Sequence, residues 1–308
     1  MSHRYPRIRL YREFEGERYL QVRESISICF YMRRSHPEVV QSVLRSLELY
    51  RQAVGPQALA WYPDYDGEWQ ELDEAGWEFN LRDLLHPKGA KLSLDGSASS
   101  VTGYEVQYRG WNLNDLPFFP GDKEPVCAVA FFLPTEYLEE RGPARVRELA
   151  MELAKELPFN SGHAGLSIHP PDGLTDRVHA TVRELCLRYP GLDRPALTDL
   201  SMRIGTHLNG IHWLTFLGPP VLDSLGGAAG LRSRLHSPGT TVQELSAERA
   251  VVTLGEWPEA GDFEQGHTLP AYRELASVLK PWLYSAPRPL WHLFTPEDMR
   301  RWERRFLD

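Results

Sequence analysis

The feature that most constrains this chain is an unbroken run of eight apolar residues, 126–133, near the middle of the sequence. The run is far shorter than the roughly 18 residues that a membrane-spanning helix needs. Its length suits a β-strand buried on both faces, because a strand with one wet face would alternate apolar and polar side chains. The run therefore predicts a sheet interior covered by other elements on both sides.

Strand and helix patterns alternate around this run. Residues 26–32 place apolar side chains at every second position, the period that puts one set on a buried sheet face. A helical stripe follows, introduced by the capping-box pair Ser35 and Glu38. By the same criteria, further strands are predicted at residues 91–94, 104–108, 163–168, 211–217 and 241–254, and helices at residues 39–54, 143–157, 178–189, 269–283 and from Thr295.

These patterns predict an α/β (α+β) fold, in which helices pack on a mixed, largely antiparallel sheet or sheets. We expect residues 1–308 to form a single unit. Two strand–helix–strand rounds suggest an internal duplication with a seam near residues 117–125. A single mixed sheet would explain the same order without any repeat.

Charge and apolar patterning exclude several classes of protein. Lys and Arg number 34 against 42 for Asp and Glu, and a net charge of −8 has the wrong sign for gripping phosphate backbones. Direct nucleic-acid binding is therefore not expected, and neither is membrane insertion. Acidic residues interrupt the N-terminal region before any apolar stretch could act as a signal peptide, so a cytoplasmic location is expected.

The three cysteines, Cys29, Cys127 and Cys186, are far apart in apolar surroundings, which predicts buried reduced thiols. Familiar catalytic signatures are missing: there is no G-x-S-x-G, phosphate loop, H-E-x-x-H or C-x-x-C. Four histidines flank two predicted strands, but no carboxylate or cysteine lies at ligand spacing beside them. No cofactor, metal or catalytic residue is expected, although a hydrolase or metal-dependent enzyme remains an alternative through these histidines: His163, His169, His207 and His212.

One window concentrates acidic and aromatic residues. Residues 52–81 contain no Lys or Arg, but they hold seven acids and three tryptophans. A calcium loop starting at Asp64 does not fit, because Gly67 falls at loop position 4 and Ala75 at position 12. A strand, a tight Asp-Gly turn and a solvated acidic face would explain the composition without any function.

The functional alternative for this window is a protein-binding surface, in which aromatic anchors supply binding energy and carboxylates orient a basic partner. A second stretch without Lys or Arg, residues 250–272, has a similar mixture. The candidate contact residues are Trp61, Asp64, Asp66, Glu68, Trp69, Glu71, Asp73, Glu74, Glu256, Trp257, Asp262 and Glu264.

Three segments carry a resemblance to a known family: residues 61–73 (WYPDYDGEWQELD), 209–218 (NGIHWLTFLG) and 299–306 (MRRWERRF). They resemble the type VI secretion immunity family, the TsiV-like proteins named as immunity to VRR-Nuc nuclease effectors. The resemblance spans residues 61–306, and none of its segments is a catalytic motif.

The resemblance implies a cytoplasmic antidote that protects the producing bacterium and its siblings. Its partner would be a cognate type VI effector toxin, a nuclease, which it would bind and block without catalysis. An acidic, aromatic surface suits the basic DNA groove of such an enzyme. A binding scaffold with no toxin partner is a further alternative, and the oligomeric state is left open.

Overall fold

The structure, a computed structural model, describes residues 5–115, 124–169 and 175–308. Within these ranges, eleven strands form one sheet, and all of its ladders are antiparallel. The strands are β1 Arg9–Phe14, β2 Glu17–Met32, β3 Trp61–Pro63, β4 Trp69–Glu71, β5 Gly89–Asp95, β6 Glu105–Trp111, β7 Cys127–Pro134, β8 Ser161–His169, β9 Leu214–Leu217, β10 Thr240–Ser246 and β11 Arg249–Leu254. The helices are α1 His36–Val54, α2 Glu74–Leu84, α3 Thr135–Glu156, α4 Asp176–Arg188, α5 Leu197–Ser201, α6 Val221–Ser224, α7 Gly227–Arg232, α8 Pro270–Leu279 and α9 Pro296–Glu303.

The sheet order confirms the α/β class and the central position of the apolar run. It runs β10-β11-β9-β8-β2-β7-β6-β5-β3-β4, with β1 paired beside β2 off this path. Every residue of β7 is buried, as the unbroken apolar run predicted. β2 lies between β7 and β8, so strands from the two halves of the chain interleave in one sheet.

The two faces of the central strands are covered differently. On the first face, Ile28 and Phe131 belong to the large core that also includes Val43 of α1 and Leu149 of α3. The second face is a smaller apolar cluster with helix α5, and its members are Cys29, Tyr31, Val126, Ala128, Ala130, Phe132, Leu197, Leu200 and Ile204. The period of two in the strands therefore sorts the side chains into two separate cores.

The second face also buries polar side chains. Ser25 of β2 lies opposite Ser167 of β8, and Ser27 and His163 belong to the same face; all four are buried. Because a buried polar group needs a partner, this face is where functional or structural polar networks can form.

Several element boundaries differ from the sequence prediction. The helix predicted from Pro143 is the second part of α3, which begins at Thr135 and is broken where Gly142 has a φ of +80°. β9 is shorter than predicted, because the His212 N–H donates to the Thr215 hydroxyl instead of to a neighbouring strand. The predicted seam near residues 117–125 falls for the most part outside the described residues.

Cys29, Cys127 and Cys186 are buried and free, which confirms the prediction of reduced thiols. No helix in the described ranges is long and apolar enough to cross a bilayer.

The loop after α4 is held by a close backbone approach at Gly191. Its N–H donates to the Ala260 carbonyl oxygen at 2.7 Å, and a Cβ atom at this position would lie 1.9 Å from the Glu259 carbonyl oxygen. We expect Gly191→Ala to lower the free energy of unfolding by about 3 kcal/mol, because one backbone segment must move. Urea unfolding followed by circular dichroism measures this loss.

Gly165→Ala is the matched control for this substitution. A Cβ at Gly165 would meet its nearest neighbours at 3.5 Å or more, which is ordinary contact. Both variants change the entropy of the unfolded chain equally, so we expect the control to change stability by less than about 1 kcal/mol. Equal losses in both variants would contradict the proposed crowding at Gly191.

Candidate functional site

The acidic window folds into a hairpin, which we call the acidic hairpin and define as residues 61–74. β3 and β4 pair in it, and one Asp64 carboxylate oxygen accepts hydrogen bonds from the backbone N–H groups of Asp66 and Glu68, both at 3.0 Å. The other oxygen accepts from the Gln70 side chain, and these hydrogen bonds hold the pKa of Asp64 below its usual range. The predicted strand and tight turn are therefore present, and Asp64 organises the turn.

The acidic hairpin is fixed to the rest of the molecule through helix α2. The Asp73 carboxylate caps that helix by accepting from the Gly76 N–H at 2.8 Å. The Tyr65 ring packs edge-on against Phe79 at 5.0 Å between ring centroids. These contacts place the hairpin in one orientation without any partner.

The outer side of the hairpin presents unpaired acidic groups. Five of its carboxylates are exposed, and none of them forms an ion pair with any residue in the described ranges: Asp66, Glu68, Glu71, Asp73 and Glu74. Two aromatic side chains stand beside them, Tyr65 with 76% and Trp69 with 39% of the residue exposed. Trp61 is half-buried.

A groove of about 540 Å³ lies between the hairpin, α2 and β5. Carboxylates of Asp64, Asp66 and Asp83 line it together with Lys91 and His86. Its size suits a long side chain, and its acidic lining favours a basic one.

The second acidic segment, residues 256–264, is built differently. Asp262 is buried and accepts two hydrogen bonds from the Arg188 guanidinium, at 3.1 and 2.8 Å, which lower the pKa of its carboxyl. Glu264 is exposed and pairs with the same arginine at 2.6 Å. Trp257 is partly buried and packs against the core. Glu256 beside it is exposed and forms no ion pair in the described part of the chain.

The sheet order separates the two acidic segments. The second segment follows β11 and is held against the loop after α4, where the Gly191 N–H donates to the Ala260 carbonyl oxygen; that loop is bonded to β8, and four strands lie between β8 and β3.

Of the four histidines singled out in the sequence, the structure brings together two. The rings of His163 and His212 stack with centroids 4.0 Å apart and an interplanar angle of 18°. His169 lies elsewhere against Glu105, and His207 is exposed.

A carboxylate that the sequence did not indicate completes this pair. The backbone of Asp193 is held against β8, because its N–H donates to Leu166 and its carbonyl oxygen accepts from Ile168, both at 2.8 Å. Its Oδ2 lies 3.2 Å from His163 Nε2 and 3.5 Å from His212 Nε2. No local spacing could reveal this contact, because Asp193 reaches the histidines through the tertiary fold.

Burial and the mutual charges of the three side chains set the electrostatics of this cluster. His163 and His212 are each 2% exposed and Asp193 is 0% exposed. Burial by itself would raise the pKa of Asp193, but the two histidines hold it far below its usual range. Burial and the neighbouring His163 lower the pKa of His212 to about 4. A substrate in solution has no contact with these side chains, which argues against a hydrolase centred on them.

Comparison with known proteins decides the family. The family model TsiV, described as Type VI immunity for VRR-NUC, matches residues 42–306. The chain belongs to the TsiV family. This confirms the resemblance seen in the sequence and the immunity function that it implied.

The TsiV assignment agrees with the fold comparison. The solved structure of the Pseudomonas aeruginosa T6SS protein PA0821 is similar, with a TM-score of 0.77, over 97% of this chain and 87% of that chain. At 19% identity this likeness shows a shared fold alone. No curated protein matches the chain significantly. The region matched by the TsiV model contains the acidic hairpin and all three residues of the buried cluster.

The buried pair of His169 and Glu105 gives this TsiV protein a pH-dependent stability. Burial by itself would lower the pKa of His169, but the charge and hydrogen bond of Glu105 outweigh it and raise the pKa. A raised histidine pKa contributes stability that is present below about pH 6.5 and is lost as pH rises through the folded-state pKa. Burial and Glu105 also raise the pKa of Asp95 to about 7, which acts in the same direction.

We expect His169→Gln to cost about 3 kcal/mol of unfolding free energy near pH 6, because it leaves a buried carboxylate without its cation. The difference from the unsubstituted protein should shrink as pH rises and His169 loses its proton. Urea unfolding at a series of pH values measures both effects, with the exposed His207→Gln as control. A deficit that stays constant across the pH series would contradict the charged pair.

Proposed function

We propose that this TsiV-family protein binds a cognate type VI nuclease effector directly and covers its DNA-binding groove with the acidic hairpin. The observation that carries the proposal is the set of five exposed, unpaired carboxylates beside the exposed rings of Tyr65 and Trp69. The family description, Type VI immunity for VRR-NUC, supplies the class of partner.

Charge complementarity favours this mode of binding. A nuclease must attract phosphate backbones, so its substrate groove carries Lys and Arg side chains. The acidic hairpin offers charges of the opposite sign, which speed the encounter and fix the orientation of the complex. Bound there, the protein would exclude DNA without chemical change to either partner.

Affinity would come mainly from the aromatic side chains and from a preformed shape. Exposed Tyr and Trp residues are the side chains most often found at the energetic centre of an interface. The hydrogen bonds of Asp64 and the cap made by Asp73 already order the hairpin in the free protein. Little conformational entropy is then lost on binding, which strengthens the complex. The adjoining groove can receive one basic side chain of the effector.

The proposed role is inhibition by occlusion, without catalysis. The cluster of His163, Asp193 and His212, found among the described residues, is buried away from any substrate in solution. The site of action would be the cytoplasm, because the DNA that a nuclease effector attacks is there.

Co-expression with its cognate nuclease effector tests the function. We expect the protein to restore growth of cells that express the active effector. It should also co-purify in a stable complex with an effector whose catalytic residues have been inactivated. The inactive effector is the control that separates binding from any enzymatic removal of the toxin. Absence of both rescue and complex would exclude the proposal.

Charge reversal tests the proposed surface. We expect the triple variant Asp66→Lys, Glu68→Lys and Glu71→Lys to slow association by about tenfold at low salt, because it removes the electrostatic steering. It should also make the association rate less sensitive to added salt. Stopped-flow or surface plasmon resonance at low and at physiological ionic strength measures both effects.

The matched control changes the net charge equally at the other end of the sheet. Asp223, Glu244 and Glu248 are exposed acids of the α6 and β10 region. Their joint replacement by Lys should leave the association rate within about twofold, because the contact area is unchanged. If both triple variants slow association alike, the effect belongs to net charge and the interface lies elsewhere.

A further inference from the structure

The geometry points to a divalent metal site formed by His163, Asp193 and His212 inside the protein. We infer that it holds one first-row metal ion, with Zn²⁺ as the expected occupant, and that the ion stabilises the fold. This inference goes beyond the immunity function and does not depend on it.

Three polar atoms of the cluster lack hydrogen-bond partners. Both ring nitrogens of His212 and Oδ1 of Asp193 are buried without a hydrogen bond. An imidazole always carries a lone pair or an N–H on each nitrogen, so leaving both unpaired in the interior is costly. A bound cation would satisfy the ring lone pair and the carboxylate together.

The charge of the cluster also suits a cation. In the described ranges, the ion pairs of Asp193 involve only the two histidines. Arg305 is buried nearby and interacts electrostatically with Asp193, but its guanidinium donates hydrogen bonds to the carbonyl oxygens of Pro190 and Trp302. A buried carboxylate rarely occurs without a directly bonded cation, because burying an unpaired charge is costly. Coordination of a metal ion is one common way in which proteins satisfy such a group.

The separations match the size of the ion. One donor atom from each of the three residues lies within 4.8 Å of the others, and the contacts of Asp193 Oδ2 with the two Nε2 atoms are 3.2 and 3.5 Å. Ligands at Zn–N and Zn–O distances of about 2.1 Å around a tetrahedral ion lie roughly 3.4 Å apart. The two rings are nearly parallel, so one imidazole must rotate about its Cβ–Cγ bond, a soft torsion, to share the ion.

Two of the three ligands are anchored to β8, and the third precedes the strand that pairs with it. His163 is part of β8, and the backbone of Asp193 is bonded to the same strand. His212 comes just before β9, which pairs with β8. An ion there would tie the loop after α4 and the segment before β9 to the sheet, and binding to the folded state alone raises stability.

Metal analysis of the purified full-length protein tests the site. Because the ligands are buried, the protein is unfolded with chelator, refolded with or without ZnCl₂, and freed of excess ion. We expect about one equivalent of zinc by mass spectrometry and a melting temperature raised by at least about 3 °C. Refolding with Co²⁺ should give the intense visible absorption of a tetrahedral ion.

Variants assign the ion to these ligands. Asp193→Asn and His212→Gln should retain less than about a tenth of an equivalent and lose the zinc-dependent melting shift. The exposed His207→Gln is the matched control and should behave as the unsubstituted protein. If the two ligand variants do not fold, the Co²⁺ spectrum of the unsubstituted protein still decides. No stoichiometric uptake, or equal retention in all variants, would overturn the site.

Discussion

The burial of β2 and β7 on both faces is the constraint on which the rest of the structure depends. Residues 22–32 of β2 and all of β7 are buried, and their antiparallel ladder puts neighbouring side chains on opposite faces. Apolar surface on both sides must be covered, so α1 and α3 pack on one face and α5 on the other. Because the centre of the sheet is enclosed on both sides, it is not available to a partner.

Because the central strands are covered, we expect a protein partner to bind at an end of the sheet. The acidic hairpin forms one end, where β4 is the last strand and few neighbours can neutralise its carboxylates. In the second acidic segment, Arg188 from α4 pairs with Asp262 and Glu264, so both carboxylates stabilise the fold. Two segments with similar composition therefore differ in what they offer to a basic partner, because a cation lies within reach of one of them.

The polar second face explains the unusual interior of this TsiV protein. Strand alternation places His163 and His169 on the same face of β8, together with Ser167. His169 meets a carboxylate from β6, and His163 meets Asp193 from the loop after α4. Buried charges need such partners, so these contacts bind distant parts of the chain to the central strands.

The sequence by itself determined the features that depend on local periodicity and local hydrogen bonds. Apolar spacing predicted β7, α4 and the β10–β11 region, and the cap at Thr295 is present with its hydrogen bond from the Asp298 N–H. The sequence also predicted the turn at Asp64 and indicated the family. Only the tertiary structure decided that Asp193 joins two histidines and that Arg188 neutralises Asp262. The physical reason is that burial and ion pairing depend on which distant segments meet, and no local pattern encodes that meeting.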